Sequence, residues 1–249
     1  MSKYYLQLYS LHNEIQKDFD GVIRRVKQMG YTGVEFAGIY GGYSAADLKA
    51  FLAEVGLEPL SAHIGVAGVM EHLEYAAELG MKYFIDPAYG METREDALKA
   101  AAEFNKAGEL CAKAGIQFGY HNHQFEFKPC EDGTLMDTLI LNTDPNLVCF
   151  QLDAGWAAYA GIDCPAFIAK YPGRFKLIHF KECSFLHADD PESEWNGPAG
   201  KGIVNWTAVR DAAFAQGTEA FIVEREAVYA GDIFSSVQDD GEYLKSLLQ

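Results

Sequence analysis

The sequence predicts a parallel (β/α)8 barrel with its site at the C-terminal ends of the strands, and three observations carry that expectation. Short apolar, β-branched or aromatic runs alternate with longer segments of helical period from one end of the chain to the other. About eight such runs can be counted, the number that closes a parallel barrel. Several helical segments end at a glycine that is followed within a few residues by the next run.

In chain order the expected strands are Tyr4 to Tyr9 (YYLQLY), Gly33 to Ala37 (GVEFA), Glu58 to His63 (EPLSAH) and Lys82 to Asp86 (KYFID). They continue with Ile116 to His121 (IQFGYH), Val148 to Asp153 (VCFQLD), Phe175 to His179 (FKLIH) and Ala220 to Glu224 (AFIVE). Between them lie FDGVIRRVKQMG, AADLKAFLAEVG, VMEHLEYAAELG, REDALKAAAEFNKAGELCAKAG and VNWTAVRDAAFAQG, whose apolar residues recur at helical spacing. Gly30, Gly56, Gly80, Gly115 and Gly217 stand where a left-handed residue ends a helix. A doubly wound open sheet is the competing architecture, but the G-x-G-x-x-G turn that usually follows an early strand in that fold is absent. With no Pro/Gly/Ser-rich linker to divide them, residues 1–249 read as one domain. Cys183 to Gly202 is longer than an ordinary βα connection and reads either as a lid or as a solvated insertion.

Composition narrows the partners. Hydrophobic residues make up 49% and charged residues 22%, enough to bury a core and too apolar for a disordered chain. The excess of 36 acidic over 20 basic residues gives a net charge of -16, a field that repels a phosphate backbone or an anionic membrane. Nucleic acid and membrane are therefore not expected as partners, whereas a small anionic substrate stays open because one local cation can override the global field at short range. The 5 cysteines (Cys111, Cys130, Cys149, Cys164 and Cys183) show no C-x-x-C spacing, and their odd number leaves at least one thiol unpaired. That pattern, a start without an apolar leader and the lack of a bilayer-length apolar run give a cytoplasmic expectation.

The chemistry is expected where polar residues end apolar strands. The third strand ends at His63, the fifth at His121 with Asn122 and His123 following, the sixth at Asp153, the seventh at His179 and the eighth at Glu224. Unpaired imidazoles and carboxylates are poor core residues, because burying them costs free energy. If the strands close, His121, Asp153, His179 and Glu224 converge from four successive strands as a mixed nitrogen and oxygen set that suits Mn²⁺, Co²⁺, Fe²⁺ or Zn²⁺. The alternative is a metal-free mouth of hydrogen-bonded polar residues with an acid/base pair among them.

Over nearly its whole length the sequence resembles the sugar phosphate isomerase/epimerase group of the xylose-isomerase-like TIM barrel superfamily. That superfamily includes ketose 3-epimerases, hydroxypyruvate isomerases, inosose dehydratases and endonuclease IV. The resemblance is carried by LQLYSL, GYTGVEFAG around Glu35, LSAH ending at His63, YHNHQFEF, FQLDAGWAAYAG, IHFKEC and FIVEREA. It implies a divalent metal, Mn²⁺ foremost with Co²⁺, Zn²⁺, Fe²⁺ or Mg²⁺ as alternatives, held by a glutamate, an aspartate, a histidine and a glutamate on strands five to eight. The last three fall on Asp153, His179 and Glu224. The first does not match, because the E-N-H of the family reads H-N-H here and His121 takes the glutamate's place.

The resemblance makes Glu224 the first choice for the proton-transferring carboxylate, with pure metal ligation as the alternative. His121 is either a neutral ligand or, off the metal, a second base, since one nitrogen cannot do both. His63 and Glu35 take the places of residues that contact substrate or hydrogen-bond at the barrel mouth. His123 joins the substrate-binding candidates. Lys181 is a candidate for a carbonyl oxygen or a phosphate, set against the exposure usual for a lysine on a loop. Trp156, Phe125 and Tyr9 are candidates for stacking on a sugar ring, set against simple packing.

The leading expectation is a metal-dependent isomerase or epimerase that removes a proton next to the carbonyl of a sugar or sugar phosphate. The alternative is a lyase or dehydratase that removes the same proton from a keto-sugar, keto-inositol or 3-keto-glycoside and expels a β substituent. A third is a non-catalytic sugar-binding barrel. The net charge of -16 argues against DNA repair, and homo-oligomers are common in the family.

Overall fold

The protein is described here from a computed structural model covering residues 3–184, 197–226, 228 and 231–249. Eight parallel strands close in sequence order: β1 (Tyr4–Gln7), β2 (Gly33–Phe36), β3 (Glu58–His63), β4 (Tyr83–Asp86), β5 (Gln117–His121), β6 (Val148–Asp153), β7 (Phe175–Phe180) and β8 (Ala220–Val223). β8 pairs back onto β1 with Tyr5 opposite Ile222, which completes the barrel. The expected strand ends hold to within a residue except at β1, where Leu8–Leu11 turns into a 3-10 helix. Gln7 stops that strand by accepting the Tyr9 amide on its own side chain at 3.1 Å. Between β5 and β6 the sequence reading also passed over a small hairpin, Pro129–Cys130 with Gly133–Thr134.

Local chemistry sets the helix ends. Thr93 and Asp96 form a reciprocal cap on the helix Arg94–Lys113, and Ser44 caps Ala45–Val55. Gly56 and Gly80 close their helices at φ of 82° and 92°, left-handed values that a side chain would strain. The helices and the outer faces of the strands share one large apolar core.

Inside the barrel, alternate residues of each strand point to the axis. The lower layer is an apolar plug of Tyr5, Leu60, Tyr83, Ile85, Cys149, Leu177, Ala220 and Ile222. Two residues beyond Tyr5, Cys149, Leu177 and Ile222 the inward positions become Gln7, Gln151, His179 and Glu224, and Glu35 joins them from β2. The pleat thus lifts the chain from apolar filling to chemistry within about one 6–7 Å step. Register shifts interrupt the ladders at Val34/Glu35 and at Phe150/Gln151, immediately before two of those polar residues. Bulges at such points re-aim the side chain that follows.

All five cysteines are free thiols, and among the described residues no helix is long and apolar enough to cross a membrane. The lid expectation for the Cys183 to Gly202 segment falls on residues 185–196, which lie outside the described residues.

Close packing where β2 starts gives a direct test. A Cβ on Gly33 would sit 2.1 Å from the Glu58 carbonyl oxygen, whereas one on Gly65 meets nothing within 4 Å. Gly33→Ala is expected to destabilise by about 1–3 kcal/mol, and Gly65→Ala to be neutral or stabilising by up to about 1 kcal/mol. Urea denaturation of both variants checks this.

Candidate active site

The site is built upward from Glu35. Its side chain is fully buried and every contact it makes is with protein. Oε1 accepts from Gln7 Nε2 at 2.8 Å and His179 Nε2 at 2.7 Å, with His63 Nε2 at 3.1 Å. Oε2 accepts from Ser61 Oγ at 2.7 Å and Gln151 Nε2 at 2.8 Å. Burial alone would raise its pKa, but His63 and His179 outweigh that and hold it well below the usual carboxylate range. Glu35 therefore sits beneath the cavity as an anion that orients its neighbours, and is not among the cavity's lining residues.

That anion dictates the neighbours' protons. A carboxylate only accepts, so Gln151 turns its amide nitrogen to Glu35 and its carbonyl oxygen to the imidazoles. Gln151 Oε1 lies 2.9 Å from His121 Nδ1 and 2.9 Å from His63 Nε2. His121 consequently carries its proton on Nδ1, and its one lone pair, on Nε2, looks toward Asp153 Oδ2 at 3.8 Å. Burial, reinforced by the imidazoles of His179 and His63, holds the His121 pKa well below the usual range, so the ring is neutral.

His179 spans two carboxylates, Nε2 to Glu35 and Nδ1 to Glu224 Oε2 at 3.0 Å. Burial opposes its charge, but Glu35 and Glu224 outweigh burial and hold the pKa at about 10. Asp153 divides its oxygens: Oδ1 caps the short helix Ala154–Tyr159 through the Trp156 amide at 2.8 Å, and Oδ2 has no hydrogen-bond partner although buried. Asn122 ties the two strand ends together, accepting from Asp153 N at 3.0 Å and donating to the Asp153 carbonyl at 3.2 Å.

Lys181 departs from the expectation of a solvated lysine, being only 1% exposed. It belongs to the inward series Leu177, His179, Lys181 of β7 and its continuation. Its Nζ lies 2.8 Å from Glu224 Oε2, 2.8 Å from Glu226 Oε1 and 3.5 Å from Asp153 Oδ2. The Trp156 ring lies 5.4 Å from the same ammonium. Burial works against that charge, but Glu224, Asp153 and Glu226 overcome it and raise the pKa. Glycine at 155 makes this packing feasible, since a Cβ there would fall 2.5 Å from the Lys181 carbonyl oxygen.

His121, Asp153, His179 and Glu224 each offer one donor atom within 4.8 Å of the others. Two imidazoles, two carboxylates and the unpartnered Asp153 Oδ2 fit a divalent cation of borderline hardness. Glu35 stands behind His179 as the carboxylate that fixes a ligating imidazole's tautomer.

Above the cluster opens a cavity of about 400 Å³ lined by Tyr9, Gly38, His63, His123, Glu224 and Glu226, among others. Glu126 fixes the start of the loop bearing His123 by accepting from Tyr120 Oη at 2.5 Å and the His123 amide at 2.9 Å. Burial, then Lys181, lowers His123 to about 4, so it is a neutral lining group. Tyr9 is half exposed at the rim, Trp156 packs 5.7 Å from His123, and Phe125 is exposed and lines a neighbouring hollow rather than this cavity. Gln7, Ser61, Gln151 and Glu226 were missed by sequence reasoning. The available signal was their polarity at inward-facing positions, or two residues past Glu224, in otherwise apolar strands.

A family model described as xylose isomerase-like TIM barrel matches residues 23–247. Inosose dehydratase of Geobacillus kaustophilus (strain HTA426) is 27% identical over 192 residues, 66% of this chain and 61% of that protein. The match thus spans about three fifths of the relative's length. A sugar phosphate isomerase/epimerase from Parabacteroides distasonis ATCC 8503 superposes with a TM-score of 0.80 at 29% identity, covering 98% of this chain and 94% of that one. The IOLI protein, solved with a bound zinc atom, shares the fold with a TM-score of 0.77 at 12% identity, covering 99% and 98%.

The network behind the cluster sets an expectation for metal binding. Asp153→Ala is expected to abolish stoichiometric uptake of Mn²⁺ or Zn²⁺ by chelated protein. Glu35→Gln, which removes the charge behind His179 and nothing from the ligand set, is expected to weaken uptake about 10–100-fold. Titration with elemental analysis checks both.

Proposed function

Because this chain belongs to the xylose isomerase-like TIM barrel family, we propose that it is a metal-dependent carbon–oxygen lyase. It takes the proton next to the carbonyl of a keto-sugar, keto-inositol or 3-keto-glycoside and expels the β oxygen substituent. The observation that carries this choice is the His121 tautomer. With Nδ1 bonded to Gln151 at 2.9 Å, its one lone pair belongs to the ligand cluster. No second carboxylate then stands in the fifth-strand seat that would serve the opposite face of an inverted carbon. Sequence alone ranks epimerisation first; this proton arrangement favours elimination, which needs one base and one acid. The inosose dehydratase relatives support the same choice.

The chain's groups divide the work as follows. Glu224 turns Oε2 to His179 at 3.0 Å and Lys181 at 2.8 Å and has a second oxygen to receive the α proton. As that C–H bond breaks, its electron pair forms the new C=C bond and the β C–O bond breaks with its pair on oxygen. The leaving oxygen takes that proton back from the Glu224 carboxyl group, which lines the cavity, so loss of water or an alcohol returns the residue to its starting state. Lys181, 1% exposed and 2.8 Å from Glu224 Oε2, holds that carboxylate in place. Burial raises the Glu224 pKa, but Lys181 and His179 outweigh it and keep the carboxylate ionised and ready to accept. A divalent cation held by His121, Asp153, His179 and Glu224 would stabilise the negative charge developing on the carbonyl oxygen. His63 and His123 face the cavity as hydrogen-bonding groups for ring hydroxyls. Glu35 acts through His179 and His63 and is a positioning residue.

Elimination and epimerisation separate cleanly in deuterium oxide. With methyl 3-keto-glucoside or a 2-keto-inositol, Mn²⁺-loaded protein is expected to yield an unsaturated ketone lighter by the expelled group. Glu224→Gln is expected to lower the rate by about 10²–10⁴. A deuterated epimer with no unsaturated product, seen by mass spectrometry and NMR, would move the assignment to an epimerase.

A further inference from the structure

A second and larger space, about 830 Å³, adjoins the cavity over the ligand cluster. Tyr9 and Glu226 line both, so the two spaces meet at that pair. The proposed reaction uses nothing in this outer space. Its size lies within the range of about 300–1,000 Å³ typical of small-molecule sites.

The walls say what fits there. Tyr9 is 51% exposed and Val228 57% exposed, and Ile233 and Phe234 line the same space, so it offers flat and apolar surface to a ring. Asn13 and His12 supply hydrogen-bonding groups from the short helix His12–Ile15. Arg225 is matched, its Nη2 2.6 Å from Asp240 Oδ2, and Arg25 lies over the Phe234 ring at 3.8 Å with its Nη2 3.9 Å from Asp232 Oδ2. Glu14 and Glu226 add further negative charge to the walls. Behind the inner cavity's wall Lys181 is held between Glu224 and Glu226, both at 2.8 Å. A phosphate entering the outer space would meet the carboxylates of Glu14, Glu226 and Asp232 beside Arg25, the one half-exposed cation among its described lining residues.

We infer that the outer space is a subsite for a second, uncharged ring, so that the substrate is an unphosphorylated glycoside. Its carbonyl-bearing unit sits over the cluster, and its aglycone, a sugar or an aryl ring, sits between Tyr9 and the start of the helix Ile233–Leu247. This rests on the proposed reaction for the placement of the carbonyl unit. It goes beyond that reaction in assigning the substrate's second half and its lack of charge.

Binding and turnover separate the two claims. In calorimetric titrations of Mn²⁺-loaded protein, phenyl β-glucoside and cellobiose are each tested against glucose and glucose 6-phosphate. At least one two-ring probe is expected to bind tenfold or more tightly than glucose, and glucose 6-phosphate no more tightly than glucose. Which of the two gains tells an aryl from a sugar aglycone. Asn13→Trp, an exposed helix position that fills the outer space, is expected to erase the gain while leaving glucose binding and the melting temperature unchanged. In turnover, the same variant is expected to raise KM tenfold or more for a 3-keto-disaccharide and to leave that for 3-keto-glucose within twofold. Equal affinity for one-ring and two-ring probes, no measurable binding of either, a gain indifferent to Asn13→Trp, or tighter binding of the phosphate each overturns the subsite. Absence of turnover with every keto-sugar, alongside a two-ring gain lost in Asn13→Trp, would overturn the reaction and leave the subsite standing.

Discussion

The arrangement at the barrel mouth depends on one buried carboxylate, Glu35. An ionised side chain in a low-dielectric interior costs several kcal/mol unless its lone pairs are filled. Here Gln7, Ser61, Gln151, His63 and His179 fill them from β1, β3, β6 and β7. Because the acceptor is fixed, every donor has to present a proton to it, and the next layer inherits that order. Gln151 turns its oxygen outward, His121 puts its proton on Nδ1, and the His121 Nε2 lone pair is left facing Asp153 Oδ2 in the ligand cluster. The same bonds fasten four strands across the barrel, so the site's geometry and the barrel's closure share a cause.

Charge then follows from position. Three buried carboxylates, Glu35, Asp153 and Glu224, lie within reach of two cationic groups, Lys181 and His179. A cation ligated by His179 would need the Nδ1 lone pair and leave Nε2 with Glu35, which exchanges one positive group for another at the same point. This is the physical sense in which the cluster suits a metal and also folds around its own lysine. It also explains why Lys181 is more basic in spite of its burial: without its charge, Glu224 and Glu226 would face one another uncompensated.

The strand order, the glycine helix ends and the strand-end residues His63, His121, Asp153, His179 and Glu224 were legible in the sequence, because period-two burial and helix termination are local properties. The layer below them was harder to read. Gln7, Ser61 and Gln151 look like ordinary polar interruptions in LQLY, LSAH and FQLD, and their purpose appears only when the barrel brings them to Glu35. Lys181 was misjudged for a related reason. A residue just beyond a strand reads as loop, yet it continues the inward alternation of Leu177 and His179 and is driven inside by carboxylates from β6 and β8. The H-N-H run was visible as a departure. Which imidazole nitrogen faces the cluster is set by Gln151, thirty positions away, as the separation of the His121 to Gln151 hydrogen bond records.

Anomalous diffraction from crystals grown with Mn²⁺ or Zn²⁺ tests the central claim most directly, because it reports both the ion and the nitrogens that face it. The expected result is one ion bounded by His121 Nε2, Asp153 Oδ2, His179 Nδ1 and Glu224, with His179 Nε2 still on Glu35 and His121 Nδ1 still on Gln151. An ion bound elsewhere, no ion at saturating metal, or a His121 ring turned to release Gln151 would contradict it.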